Sequence, residues 1–382
     1  MRILFFATYF KPYISGITVY PDKLLQFLSK KNQVRVLCFK HTKDLAIEEK
    51  FEQVTVERMP FLFKLSKGFI SLRSFYYFFQ RVRKTDVVML NIPNAEGLPL
   101  AMMARLMGKK VISIFHCQVY FDQGLVRQIL AKLLQVSVRL QLCLSTKIVA
   151  YTQDYVESLH WPEKLMKKTQ YVLPPVGELA VDKEYLSELK KKKNKEIWVG
   201  FVGRIAEEKG LDVLAKAVEE LKHRNKKLVK SLKLALVGPF GEEVVGEASY
   251  YQELKKTLDE LGINYEFFGL LTNGKLGAFY QAIDVLVLPS VNQTEAFGMV
   301  QVEALQAGKP VVAANLPGVR VPVKMTGHGE IVEPGDEKDL AGALVKVLAE
   351  KSNKKKRENF SKLFDQQQTF AFYEELLENI NQ

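Results

Sequence analysis

The chain has 382 residues, 47% hydrophobic and 26% charged, an ordinary globular composition with length enough for two domains. Its opening, MRILFFAT, runs straight into YFKPYISG without the basic start, long apolar run and cleavage site of a leader, and no apolar run reaches the roughly 20 residues that span a bilayer, so a cytoplasmic, non-integral protein is expected. The net charge of +12 is lopsided: residues 1–175 hold 26 Lys and Arg against 12 Asp and Glu, and the remainder 29 against 31, which points to an anionic partner for the first half, an acidic membrane surface, a phosphorylated acceptor or nucleic acid.

In chain order, RILFFAT reads as a short buried strand, followed by a Pro/Gly loop and an amphipathic stretch, VYPDKLLQFLSKK, whose Leu24, Leu25 and Leu28 share a helical face. The alternation continues through QVRVLCF, VTVERM, SFYYFFQRVRK, DVVMLN, PLAMMARLMG, KVISIFH, a long helical stretch from Leu125 to Leu144, and KIVAYT. Unbroken Val/Ile/Leu strands between helices argue for a parallel sheet covered on both faces. The two prolines of YVLPPV close this series. A second begins at EIWVGFVGR and runs through LKLALVG, YEFFGL, DVLVLPS and PVVAAN. The expected class is α/β, two Rossmann-like doubly wound domains facing a cleft, with domains at 1–174 and 175–365 and a C-terminal helix, 366–382, returning to the first domain. Cys38, Cys117 and Cys143 lie in apolar contexts without C-x-x-C spacing and read as buried free thiols, not a metal site.

Ligands of open α/β sheets bind outside the carboxyl ends of the strands, and chemistry-bearing residues follow those ends here. After EIWVGFVG come Arg204 and Lys209, two cations suited to clamp a diphosphate, or else residues of a solvated loop. After DVLVLPS, TEAFGMVQVEALQAGKPVVA predicts a helix from about Phe297 to Ala307, with Gly308 as its left-handed stop and Pro310 beyond. The amides of Gly298, Met299 and Val300 then lie at a helix N-terminus, where an anion is favoured. Glu303 sits about a turn and a half inside, and Glu295 precedes the helix. By spacing alone the two glutamates cannot be told from chance, and an acid can cap free amides without any ligand. His116, at the end of KVISIFH, is aimed at a strand-end edge, or is structural. No G-x-G-x-x-G follows the first strand, which offers only KPYISGITVY with Gly16, and this speaks against a dinucleotide oxidoreductase.

Together KPYISG, IFHC, VLPPV, FVGRIAEEKG, LALVG, FFGLL, DVLVLPS and EAFGMVQVEALQAGKPVVA resemble the retaining GT-B glycosyltransferases of family four, the last block matching that family's E-x7-E signature. The resemblance implies a hexosyl transfer from a nucleotide-diphosphate sugar to a hydroxyl of a glycan, lipid-linked or phosphorylated acceptor, with an acceptor domain first and a donor domain second. It gives Arg204 and Lys209 the donor diphosphate, Glu303 the ribose, Glu295 the donor sugar, and the amides of Phe297 to Val300 the phosphate oxygens. His116 matches a first-domain histidine near the transferred sugar, Gly16 the loop near the diphosphate, and Leu270 and Leu271 the region that reads the nucleobase. The departures are Ser15-Gly16 for a double glycine, EAFG for EGFG, and Val321 where many relatives carry a glutamate. No metal or other cofactor is implied: the chain has no D-x-D near a strand end and the two cations can take the charge. The alternatives are a non-catalytic nucleotide-sugar-binding subunit, or a GT-B epimerase or phosphorylase.

Residues 59–85 contain no acid but hold Lys64, Lys67, Arg73, Arg81, Arg83 and Lys84 among eight aromatics. Phe75, Phe78, Phe79 and Val82 follow helical spacing and are expected to pack on the sheet. FLFKLSKGFI is expected to form a basic, aromatic edge on anionic lipid, placing the protein at the inner face of a membrane through residues 61–84. No reader motif for nucleic acid accompanies the basic residues.

Overall fold

A computed structural model describes residues 1–13, 15–65, 68–119, 125–224, 226–244, 247–349 and 357–381. The chain forms two compact units, Met1–Pro175 together with Gln366–Gln382, and Val176–Asp365. Both are α/β.

In the first unit the strands are β1 (Arg2–Phe6), β2 (Gln33–Phe39), β3 (Glu48–Phe51), β4 (Val54–Met59), β5 (Phe63–Leu65), β6 (Gly68–Ile70), β7 (Val87–Ile92), β8 (Lys110–Phe115), β9 (Lys147–Ala150) and β10 (Thr169–Tyr171). Eight of them build one sheet in the order β10-β9-β8-β7-β1-β2-β4-β3, and β5 and β6 form a separate antiparallel hairpin. All pairs in the large sheet are parallel except β3 on β4. β7, VVMLNI, is buried at every residue, as expected of a central strand covered on both faces. β3, EEKF, is exposed and charged; it is an edge strand, and its polarity hides it from any search for apolar runs.

The first helix covers Gly16–Leu28, three residues earlier at each end than the amphipathic stretch suggests, and carries Pro21 inside it. Leu24, Leu25 and Leu28 are buried on one face. Proline cannot donate to the carbonyl four residues back, here that of Ile17. That acceptor is met instead by Asn91 Nδ2, 2.9 Å away at the end of β7. The helices Ser74–Val82, Gly97–Leu106 and Leu125–Leu144 connect β4 to β7, β7 to β8 and β8 to β9, three crossovers in the same direction along the sheet. Right-handed connection puts all three on one sheet face, where they pack side by side. The C-terminal helix Gln366–Asn381 packs beside the first helix, and the Tyr20 and Tyr373 hydroxyls meet at 2.7 Å in the core.

The structure departs from two expectations. Phe78 and Val82 are buried, but Phe75 and Phe79 are exposed, because the helix Ser74–Val82 presents only one side to the sheet. Cys38 is buried and Cys117 partly so, whereas Cys143 is exposed, standing on the outer side of the helix Leu125–Leu144.

The second unit has β11 (Ile197–Val202), β12 (Leu232–Val237), β13 (Tyr265–Gly269), β14 (Val285–Leu288), β15 (Val311–Ala314) and β16 (Gly329–Val332). They form one parallel sheet in the order β13-β12-β11-β14-β15-β16. This is the doubly wound order, with its switch point between β11 and β14. β14 and β15 are buried throughout.

Candidate active site

The loops that leave the switch point of the second unit carry the charged residues singled out above. After β11 the chain turns through Gly203, buries Ile205 and Ala206, and makes one 3-10 turn, Glu207–Lys209. Gly210 ends that turn at φ +67, and a Cβ on it would lie 2.2 Å from the Pro289 carbonyl oxygen. Only glycine satisfies both the left-handed backbone and the close crossing of the β11 and β14 loops. The Val291 amide donates to the Glu208 carbonyl at 3.1 Å and locks the crossing.

Across it, Lys209 Nζ donates to Glu295 Oε2 at 2.7 Å. Both side chains keep a little solvent, at 14% and 18% exposure. Arg204 Nη2 donates to Glu208 Oε1 at 2.7 Å. Burial works against the charge on Glu295, but Lys209, the Gly298 amide and the Arg204 charge together outweigh it and hold the carboxyl below its ordinary value. Glu295 is therefore ionised at neutral pH, within a local set of two cations, two carboxylates and a helix-start amide.

The helix covers Met299–Gln306, shorter at both ends than expected, with Gly298 as its N-cap at φ +76 and Gly308 beyond its end at φ +73. Gly298 has a packing reason to be glycine: a Cβ would stand 2.4 Å from Leu288 Cδ2. Its amide serves Glu295, so the capping role left open by the sequence is realised. Phe297 is buried, and its carbonyl accepts from Gln301 Nε2 at 2.8 Å. The same nitrogen donates to the Val319 carbonyl at 2.9 Å, tying the Glu295 loop to the one that follows β15. Glu303, on the helix, accepts from the Tyr280 hydroxyl at 2.7 Å. Burial first, and Glu303 second, push the Tyr280 phenol far up, so Tyr280 is a fixed donor that orients this carboxylate. Leu270 is exposed and Leu271 half-buried just past β13, which ends at Gly269, φ +67.

Gly16 and His116 belong to the first unit. Gly16 is the exposed first residue of its helix. His116 is 2% exposed with both ring nitrogens engaged. Asn91 gives its amide hydrogens to Ile17, so its Oδ1 must accept from His116 Nε2–H, and His116 Nδ1 then accepts from the Tyr151 hydroxyl. Burial holds the imidazole neutral and lowers its pKa to about 3. His116 thus completes a chain that begins at the carbonyl Pro21 leaves open, and it presents no free nitrogen for proton transfer.

A cluster that no single sequence motif marks stands at the first unit's own switch point, between β1 and β7. Tyr9 packs on Tyr13, His41 and Phe69 with ring centroids 4.7, 5.5 and 5.2 Å away, and Lys64 Nζ sits over the Tyr9 ring. Glu96 accepts from Thr8 Oγ1 and from the Phe69 amide. The signal was present as strand-end Tyr9, His41 and Glu96, but these come from three loops far apart in sequence. A separate cavity of about 210 Å³, walled by Phe115, Leu142, Trp161 and Leu165 among others, opens beside β8.

Residues 182–363 match the family model described as Glycosyl transferases group 1. This unit is similar to the group 1 glycosyl transferases. Among curated relatives, D-inositol 3-phosphate glycosyltransferase of Stackebrandtia nassauensis is 34% identical over 154 residues, 40% of this chain and 34% of the relative. The 2-deoxystreptamine glucosyltransferase of Streptomyces kanamyceticus is 33% identical over 152 residues, 39% of this chain and 36% of the relative. The chain thus spans about a third of the length of the curated relatives it matches. Solved structures extend the likeness in fold to the whole chain. HepE from Anabaena in complex with UDP-glucose has a TM-score of 0.77 at 18% identity, covering 99% of this chain and 100% of that one. Sucrose-phosphate synthase from Thermosynechococcus elongatus has a TM-score of 0.76 at 18% identity, covering 99% of both. The fold is that of the GT-B glycosyltransferases, with two Rossmann-like units in tandem.

Proposed function

We propose that the protein is a retaining hexosyltransferase that uses a nucleotide-diphosphate sugar, and that its donor site is the β11/β14 switch point of the second unit. The observation that carries this reading is the Lys209–Glu295 pair, with Arg204 beside it, at the crossing that Gly210 makes possible. An isolated ion pair needs no second cation. Here two cations, Lys209 on Glu295 and Arg204 on Glu208, stand at one loop crossing, and a diphosphate is the ligand whose charges could engage both.

In this reading the donor diphosphate takes Lys209 and Arg204 from their carboxylate partners, and Glu295 turns to the hydroxyls of the donor sugar. Glu303, held by Tyr280, accepts from the ribose hydroxyls, and the amides from Phe297 to Val300 reach the phosphate oxygens. Leu270 and Leu271 border the base. As the bond from the anomeric carbon to the phosphate oxygen breaks, its electron pair stays on that oxygen, where the two cations meet the developing charge. The acceptor hydroxyl attacks the same face, and its proton passes to the departing phosphate oxygen. Configuration is thereby kept. Glu295 stabilises the positive charge on the ring and forms no covalent bond. The cations supply what a metal ion supplies elsewhere, so turnover should survive chelation with EDTA.

The Tyr9, Tyr13, His41 and Glu96 cluster of the first unit offers aromatic faces and a carboxylate, the chemistry that holds a polyhydroxylated acceptor such as a glycan. UDP-glucose is the first donor to test, since HepE is seen with it. Release of UDP from UDP-sugars, with GDP- and ADP-sugars alongside, tests the reading: wild type should hydrolyse one donor slowly and Glu295→Gln should not. A protein that binds a nucleotide sugar but releases nothing, with acceptor extracts present, is a binding subunit.

A further inference from the structure

We propose that the helix layer on one sheet face of the first unit is a docking surface for an anionic lipid bilayer. The helix Leu125–Leu144 exposes Ile129, Leu133, Val136 and Leu140, and Cys143 continues the series. Steps of three and four residues keep all five on one side. From Ile129 to Cys143 the stripe runs about 21 Å at 1.5 Å per residue. Leu133 is 61% exposed, so the stripe is not the edge of a packed face. The opposite side supplies the packing: Ala131 and Leu142 are buried, and Gln141 Nε2 donates to the Asn94 carbonyl at 2.7 Å.

The neighbouring helices extend the patch. Gly97–Leu106 exposes Met102 and Leu106, the latter at 87%, and Ser74–Val82 exposes Phe75, Tyr76 and Phe79. Ahead of that helix, Leu62 and Leu72 flank the β5–β6 hairpin and are both exposed. Isolated exposed apolar residues need no explanation, but a contiguous patch on three adjacent helices does.

Charge selects the occupant. None of the three helices contains an Asp or Glu. Lys132 and Arg139 flank the stripe and are exposed, as are Arg105, Arg73, Arg83 and Lys84. Arg81 is excluded from this set because Glu57 holds it. A second copy docking through the same face would bring these cations against their own images. A bilayer with anionic headgroups pairs with the cations while its acyl boundary accepts Leu, Ile and Phe. No helix among the described residues is long and apolar enough to cross a membrane, so the protein would lie on the surface. Docking on a bilayer is separate from glycosyl transfer and is measured without any donor.

The test is flotation of the full chain with phosphatidylcholine vesicles and with phosphatidylcholine–phosphatidylglycerol vesicles, at low and high salt. Wild type should float with the anionic vesicles, weaken with salt, and ignore the neutral ones. Leu133→Glu with Leu140→Glu should cost at least about tenfold in partitioning, and Lys132→Glu or Arg139→Glu about fivefold each, with thermal denaturation midpoints unchanged because all four side chains are exposed. An environment-sensitive fluorophore on Cys143, in a Cys117→Ser background, should shift to the blue on anionic vesicles. Failure to float, equal flotation with neutral vesicles, or wild-type binding by the Leu133/Leu140 variant overturns the proposal. So does a wild-type dimer in sedimentation velocity that the same variant dissociates, which would give the face to a second copy.

Discussion

Replacing Lys209 by Met separates the structural from the chemical use of its charge. The ammonium lies 2.7 Å from Glu295, and both side chains are mostly but not wholly buried. Removing one partner of a fully buried pair costs ~3–5 kcal/mol; with solvent reaching both, and with the Gly298 amide and Arg204 still supporting Glu295, about 1–3 kcal/mol of stability is expected here. Adding Glu295→Gln removes the stranded charge and should return most of that loss. Activity should behave differently. A missing donor at a developing oxyanion costs ~2.7–4 kcal/mol, or roughly 10²–10³ in rate, and the second substitution cannot restore it. The assay is kcat/KM for donor turnover beside denaturant unfolding of all four proteins in the cycle. A Lys209→Met enzyme that is destabilised yet turns over donor within about threefold of wild type would show that the pair only holds two loops together.

The other predictions rest on single contacts. Gly210→Ala forces a Cβ to within 2.2 Å of the backbone oxygen of Pro289 at a left-handed φ and should destabilise the second unit by about 2 kcal/mol or more; an unchanged unfolding midpoint would refute the crossing as drawn. Glu303→Gln should raise KM for the donor more than it lowers kcat, since a ribose contact binds ground and transition states alike; a pure kcat loss would contradict that role. His116 has a folded pKa of about 3 against an ordinary 6.5, so below pH 6.5 the unfolded chain takes up a proton that the folded unit refuses. Its stabilising effect is full above 6.5 and shrinks by up to ~1.4 kcal/mol per pH unit as pH falls. Wild type should therefore lose ~2 kcal/mol more than His116→Asn between pH 7.5 and 5, and parallel pH profiles would contradict the burial argument.

The fold was legible where burial is two-sided. β14 and β15 are unbroken apolar runs, and β7 is one up to Asn91, because both faces are covered, and Leu24, Leu25 and Leu28 point to the core. Elements with one wet side or none buried were not legible: β3 is charged, and half of the Phe75–Val82 series faces out. In the candidate site, Arg204, Lys209 and Glu295 could be picked out because each follows a strand, but that Lys209 meets Glu295 while Arg204 meets Glu208 depends on a loop crossing no local pattern encodes. His116 shows the same limit from the other side. Its position at a strand end left a reactive and a structural role open, and its partners Asn91 and Tyr151 come from two other strand ends, while its link to Pro21 runs through a carbonyl on yet another element.

The most direct test of the donor site is turnover with the anomeric outcome read by proton NMR. Wild type incubated with a UDP-sugar panel and an acceptor extract should release UDP and form a product with the anomeric configuration of its donor, and Glu295→Gln and Lys209→Met should lose at least about a hundredfold of that rate. Product of inverted configuration would contradict front-face transfer. Undiminished turnover in both variants would remove the β11/β14 crossing from the chemistry altogether.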